Sequence, residues 1–334
     1  MDNLNFENVF NADEANIKKA AEIIRRGGIV SFPTETVYGL GADGFNPQSC
    51  ARIFEIKERP RFDPLILHAC SAEMAMELFS EVPEKAETLM EKFWPGPITL
   101  VLPKAKSVPD IVSSGLPTVA VRVPNHPAAL ALIRAAERPI AAPSANKFGR
   151  LSPTTAIHVA EQLGSGPDMI LDAGRTSVGV ESTIITFHEG HPVLLRAGGL
   201  AAEEIENALG EPVLRPKPDA AKPGAEPLPM APGCLKKHYA PKAELRIIRR
   251  GDRIDLSTEY AYIAFCQKPD LPEESFRTVR ILSASGKMSE AAANLFYILH
   301  ELENIGVRRI YAEEVPQTGL GLAIMDRLKR GAAK

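Results

Sequence analysis

Between about residue 13 and residue 210, strand-like apolar runs alternate with segments of helical periodicity, and this alternation constrains the chain to an α/β architecture. An amphipathic stretch carrying Ile17, Ala20, Ala21 and Ile24 stops at Gly27-Gly28, after which Ile29 to Phe32 reads as a strand. Asn46-Pro47 has the chemistry of an N-cap and a first helical position, and the helix behind it runs out at Arg59-Pro60. Strands are expected at 64–68, 98–102, 118–123, 168–172, 182–187 and 192–196, the last two joined by a hairpin turn at His188-Glu189-Gly190-His191. A short strand begins at Pro139-Ile140, and Ser152-Pro153-Thr154 is expected to open the next helix.

Eight prolines fall between 212 and 241, where fixed φ and missing N–H donors oppose both helix and sheet. This stretch reads as an extended connector, and nine Lys or Arg against three Asp or Glu between 215 and 250 make it locally basic. Beyond it, strands near 245–248, 261–265, 279–282 and 308–312 accompany helices at 288–304 and 321–330. The expected organisation is therefore an open twisted α/β domain over 13–210, a linker over 211–243 and a smaller Rossmann-like α/β domain over 244–334. With 45% hydrophobic and 24% charged residues, the chain can bury both cores.

A net charge of −3 gives no global positive field for nucleic acid, so any polyanion site must be local. Cysteines 50, 70, 234 and 266 form no CxxC pair, which suits reduced thiols better than a disulfide frame or a zinc site. No apolar run approaches the ~18 residues of a membrane span, and the N-terminus lacks a basic and apolar leader, so a cytoplasmic location is expected.

Gly39, Gly41 and Gly44 spell GxGxxG, but Pro33-Thr34-Glu35-Thr36 intervenes after the strand and the next strand ends in His68 rather than an acid, which disfavours a dinucleotide site. No GxxxxGK[ST] loop occurs. Attention passes to discrete cations beside hydroxyls. Lys57 and Arg59 end a helix and are followed by Arg61 and Asp63-Pro64; they suit either a phosphate site or simple complementation of the helix dipole. Ala142-Pro143-Ser144-Ala145-Asn146 offers small residues and hydrogen-bonding groups at a strand end, which suits close approach of phosphate or base as well as plain turn chemistry. Thr118, Ala120 and Arg122 share one strand face, and an Arg there can clamp a carboxylate through two parallel hydrogen bonds. His68 suits either a base or a structural hydrogen-bonder. His188 and His191 read as surface residues, and no metal-ligating set is assigned.

These segments also form words in a fixed order: PTETVYGLG at 33–41, Lys57 and Arg59, PLILH at 64–68, FWPGPITLVL at 93–102, TVAVRVP at 118–124, APSAN at 142–146 and GVESTI at 179–184. Together they closely resemble the YrdC-type threonylcarbamoyl-AMP synthases. KHYAP at 237–241 and GLGLAIMDRLKR at 319–330 resemble the C-terminal extension of the long, two-domain form. The resemblance implies a cationic cavity holding ATP and L-threonine side by side. On that reading Lys57 and Arg59 are catalytic. The nucleotide is lined by Lys57, Arg59, Thr118, Ser144, Asn146, Ser152 and Arg196, with Asp63 an undecided contact and His238 and Tyr239 closing over it from the connector. Thr34 or Thr36, His68, Arg122, Ala142 and Ser182 surround threonine.

The reaction so implied carboxylates the threonine amine with bicarbonate or CO₂ and transfers AMP from ATP to the carbamate. Pyrophosphate leaves, and Mg²⁺ is held mainly by the phosphates. A downstream tRNA threonylcarbamoyl transferase is the implied partner, with weak RNA binding an open further property. Two other readings stay open on the residues: a double-stranded RNA or tRNA-binding module without catalysis, disfavoured by an aromatic content of 6%, and an enzyme that forms a carbamoyl adenylate.

Overall fold

The computed structural model describes residues 6–215 and 239–333; His238, Cys234 and most of the proline-rich linker lie outside them. The first domain is built on ten strands: β1 (Val9–Asn11), β2 (Val30–Phe32), β3 (Gly39–Asp43), β4 (Ile66–His68), β5 (Ile98–Pro103), β6 (Thr118–Arg122), β7 (Ile140–Ala141), β8 (Met169–Asp172), β9 (Thr183–His188) and β10 (His191–Arg196). They form one mixed sheet in the order β1-β8-β2-β3-β7-β4-β6-β5-β9-β10. The β9–β10 hairpin turns through Glu189 (φ 50°) and Gly190 (φ 78°), two left-handed residues whose twist matches the flanking strands.

GxGxxG is not a phosphate-binding turn, because Gly39–Asp43 is itself a strand, paired antiparallel to β2. Its glycines serve packing. A Cβ on Gly41 would come within 2.7 Å of both the Phe32 ring and the Ile140 side chain, so glycine lets the aromatic lie flat against the strand. The helix expected to open at Ser152 starts instead at Ala156, capped by the Thr155 hydroxyl, which accepts from the His158 N–H at 3.2 Å. Residues 152–154 are thereby left free to line the interior.

One face of the sheet packs against helices Pro47–Lys57, Glu84–Phe93, Ala156–Leu163 and Ala202–Leu209. On the other, Glu14–Arg25 and Pro127–Ala136 cover β2, β7 and β8, and past them Ile66, Val101, Ala120 and Ile184 form a separate small apolar cluster. The candidate site lies on this second face.

The second domain has four parallel strands, β11 (Glu244–Ile248), β12 (Ser257–Ala264), β13 (Phe276–Ile281) and β14 (Arg309–Glu313), in the order β11-β14-β12-β13, with helices Met288–Asn304 and Gly321–Ala332. Its core is continuous with the first domain, since Val37, Leu151 and Val180 belong to the same apolar cluster as Leu295, Phe296 and Ile324. Gly179 shows how close the approach is. At φ 76° it lies against helix Met288–Asn304, where a Cβ would fall 2.5 Å from the Ala293 backbone.

Candidate active site

The cavity opens where the ends of β4, β6 and β10 meet the loops that carry PTET, APSAN and GVEST. Arg122 ends β6 in register with His68 of β4, so strand pairing alone brings the two side by side. The Arg122 guanidinium is fixed on three sides. It donates to the Gly96 carbonyl at 3.1 Å and to Thr36 Oγ1 at 2.8 Å, and it lies 2.6 Å from the Glu35 carboxylate. Thr36 is held in turn by Thr34, whose hydroxyl lies 2.8 Å away and donates to the Val37 carbonyl. This chain of contacts holds a planar, permanently charged fork in one orientation.

His68 is buried, packed edge-on to Phe32 with ring centroids 6.0 Å apart, and its Nδ1 has no hydrogen-bond partner. Burial, with Arg122 beside it, pulls the imidazole down to about 3, so the ring is neutral near pH 7. A neutral ring can accept a proton or a hydrogen bond.

Arg59 and Arg196 also line the cavity. Arg59 emerges just past the helix C-cap at Glu58, donates to the carbonyls of Asp63 and Pro64, and pairs with the Asp63 carboxylate at 2.9 Å. Asp63, the residue left undecided by the sequence, faces an arginine here. Arg196 donates to the Ser182 carbonyl at 3.0 Å and to its hydroxyl at 3.2 Å, while Thr99 lies 2.7 Å from the same hydroxyl. Ser144, Ala142 and Tyr239 complete the lining.

Several expected contacts sit elsewhere. Lys57 does not line the cavity; it is fully buried behind the wall, where its ammonium donates to the carbonyls of Ser144 and Asn146. Burial, reinforced by Arg59, drives it well below the usual amine range. Asn146 also lies behind the wall and donates to the carbonyls of Lys147 and Arg150. Ser152 donates to Glu181. Thr118 shares a strand face with Arg122 but sits four residues away, roughly 13 Å along the strand, in an adjoining groove with Val101 and Thr186. His238 lies outside the described residues.

Three carboxylates that the sequence did not single out complete the electrostatics or buttress it. Glu35 pairs with Arg122, and Glu181 pairs with Arg327 of the second domain at 2.8 Å, while Asp326 lies 2.9 Å from the same arginine. Burial works against the Glu181 charge, yet Arg327, Arg196 and Ser152 together hold the carboxyl down at about 2. Both Glu35 and Glu181 lie inside the PTET and GVEST words, which was the available signal; their partners lie 87 and 146 residues away.

A mixed ten-stranded sheet with an arginine-lined polar cavity at its strand ends defines the protein as a member of the α/β class. The family model described as "Telomere recombination" matches residues 22–198, and the one described as "Threonylcarbamoyl-AMP synthase, C-terminal domain" matches 200–333. Threonylcarbamoyl-AMP synthase from Pyrococcus abyssi is 44% identical over 96% of this chain and 95% of its own length; that from Bacillus subtilis is 41% identical over 96% and 94%. The crystal structure of P. abyssi Sua5 complexed with L-threonine superposes with a TM-score of 0.85 at 43% identity, covering 97% of this chain and 96% of that one. The chain belongs to the threonylcarbamoyl-AMP synthase family.

Proposed function

We propose that this protein makes L-threonylcarbamoyl-AMP from L-threonine, bicarbonate or CO₂, and ATP, releasing pyrophosphate and supplying the activated threonylcarbamoyl group for tRNA modification. The observation that carries this reading is the pairing, in one cavity, of a fixed guanidinium fork beside a neutral imidazole with two further arginines in the lining. Arg122 suits the threonine carboxylate, and the Ser182, Thr34 and Thr36 hydroxyls suit its hydroxyl and amine. Neutral His68 is placed to accept a hydrogen bond from the amine and orient it, while the proton released when the nitrogen bonds to the carbon of CO₂ passes to solvent.

Arg59 and Arg196 would face the triphosphate. A carbamate oxygen attacks the α-phosphorus, the bond to the β-phosphate oxygen breaks, and pyrophosphate leaves with the electron pair. Such transfers depend on positioning and on neutralising charge, which fixed guanidinium groups supply without reorganising. Lys57 contributes from behind: it fixes the Ser144–Asn146 wall, and an entering polyanion favours its charged form.

Among the described residues no group of three or more His, Cys, Asp or Glu could hold a metal, and Glu35, Asp63 and Glu181 are each engaged by an arginine. The described residues therefore offer no carboxylate cage, and Mg²⁺ is read as entering with the nucleotide, ligated by phosphate oxygens and water.

The test is pyrophosphate release from ATP and bicarbonate with threonine, serine or carbamoyl phosphate as the third reactant. Release that needs threonine and bicarbonate is expected. Release driven by carbamoyl phosphate would favour the carbamoyl-adenylate reading, and salt-sensitive RNA binding with no release would favour the RNA module.

A further inference from the structure

We propose that Arg327, contributed by the second domain, is a positioning residue for the cavity: it clamps the two segments that carry Ser182 and Arg196 and neutralises Glu181 beside the bound anions. The inference rests on the reading of this cavity as the shared site of threonine and ATP.

Arg327 lies on helix Gly321–Ala332 and is only 1% exposed, an unusual depth for the charged end of a side chain that normally reaches water. Its Nε donates to the Glu181 carboxylate at 2.8 Å and its Nη1 to the Ala197 carbonyl at 2.7 Å. These two grips flank the site. Glu181 precedes Ser182, Ala197 follows Arg196, and Arg196 itself donates to Ser182. The two segments touch directly, since a Cβ on Gly198 would fall 2.2 Å from the Ser182 carbonyl carbon. The guanidinium also lies 5.1 Å from the ring centre of Tyr239, another part of the cavity lining.

The chemistry explains why a cation is needed there. Glu181 lines a cavity meant for a triphosphate and an amino-acid carboxylate, so its own charge opposes both ligands unless it is matched. Arg327 supplies the match together with Arg196, shares its own charge with Asp326 at 2.9 Å, and fixes the distance to Glu181 at 2.8 Å. Removing one partner of a buried pair leaves the other charge uncompensated, a larger penalty than the pair itself is worth.

The test compares full-length wild type with Arg327→Met, Arg327→Lys and the double variant Arg327→Met/Glu181→Gln. Calorimetric titration with ATP and with L-threonine is run beside thermal melting. Arg327→Met is expected to weaken ATP binding by about tenfold or more. Arg327→Lys should recover only part of this, lacking the planar fork, and the double variant should bind more tightly than Arg327→Met because the unmatched carboxylate is gone. If Arg327→Met does not fold, Arg327→Lys and the double variant carry the comparison. Wild-type affinity for both ligands in the folded arginine variants, or a double variant no better than Arg327→Met, would reduce Arg327 to a domain-docking residue and overturn the proposal while leaving the function reading intact. A wild-type chain that binds neither ligand overturns both.

Discussion

Arg122 illustrates how far one side chain's role depends on residues remote in sequence. Its guanidinium is held by Gly96, Thr36 and Glu35, so its orientation is set before any ligand arrives. A lysine cannot reproduce those three contacts and the fork together. Arg122→Lys is therefore expected to weaken L-threonine binding by roughly two orders of magnitude, close to the loss in Arg122→Met. Calorimetry measures both; a lysine variant within a few-fold of wild type would show that charge alone suffices. His68 gives a second expectation at this scale. With its ring held down at about 3, its NMR resonances should show no titration between pH 8 and pH 5, whereas an exposed histidine inflects near 6.5. An inflection near 6.5 would mean that the imidazole is solvated.

Among the elements, helix Met288–Asn304 docks on the first domain through a pair of stacked imidazoles. His158 and His300 lie 3.8 Å apart at 16°, with His300 Nε2 3.1 Å from the Ser152 carbonyl. Burial lowers both, His158 to about 2 with help from His300 and Arg175, and His300 to about 4 with help from Arg150 against the Ser152 carbonyl. The unfolded chain takes up these protons below about 6.5, whereas the folded chain resists until about 4. Stability from the neutral pair is thus complete above pH 6.5 and declines as pH falls toward 4, by about 1–3 kcal/mol per imidazole. His300→Gln should flatten the fall in melting temperature between pH 6.5 and 4.5; parallel curves for variant and wild type would remove the pair from that role. The window for Glu181 lies lower, between its unfolded value near 4.5 and about 2, so the two are separable.

The elements also show what was legible in advance. Strand ends, the Asn46 cap and the β9–β10 turn follow from local chemistry, and the structure places them within a few residues of expectation. Strand β3 was hidden because its glycines, read as a GxGxxG pattern, serve to admit the Phe32 ring. The cavity's arginines were legible, but which of the expected residues face it and which stand behind it was not. Lys57 and Ser152 are held behind the wall by contacts 87 and 29 residues distant, which no local pattern reveals, while Asn146 turns to the nearby Lys147 and Arg150 carbonyls.

For the whole molecule, the two domains share a core and a buried ion pair, so the second domain braces the cavity from behind through Glu181. Truncation after Arg215 is expected to leave the ten-stranded sheet folded, since that domain has its own core. It would nevertheless bare Val37, Leu151 and Val180 and strip Tyr239 and Arg327 from the site, with threonine-dependent pyrophosphate release falling by about 100-fold or more. Circular dichroism and the release assay check the two halves of that statement; full activity in the truncated chain would make the second domain dispensable for chemistry.

The claim beneath these expectations is that one cavity holds both an amino acid and a triphosphate, and a crystal structure with L-threonine and a non-hydrolysable ATP analogue tests it most directly. The predicted result places the threonine carboxylate on Arg122 beside His68, with the phosphates between Arg59 and Arg196 and the α-phosphorus facing the amine. Either ligand bound outside this cavity, or phosphates on the Arg122 side, would contradict it.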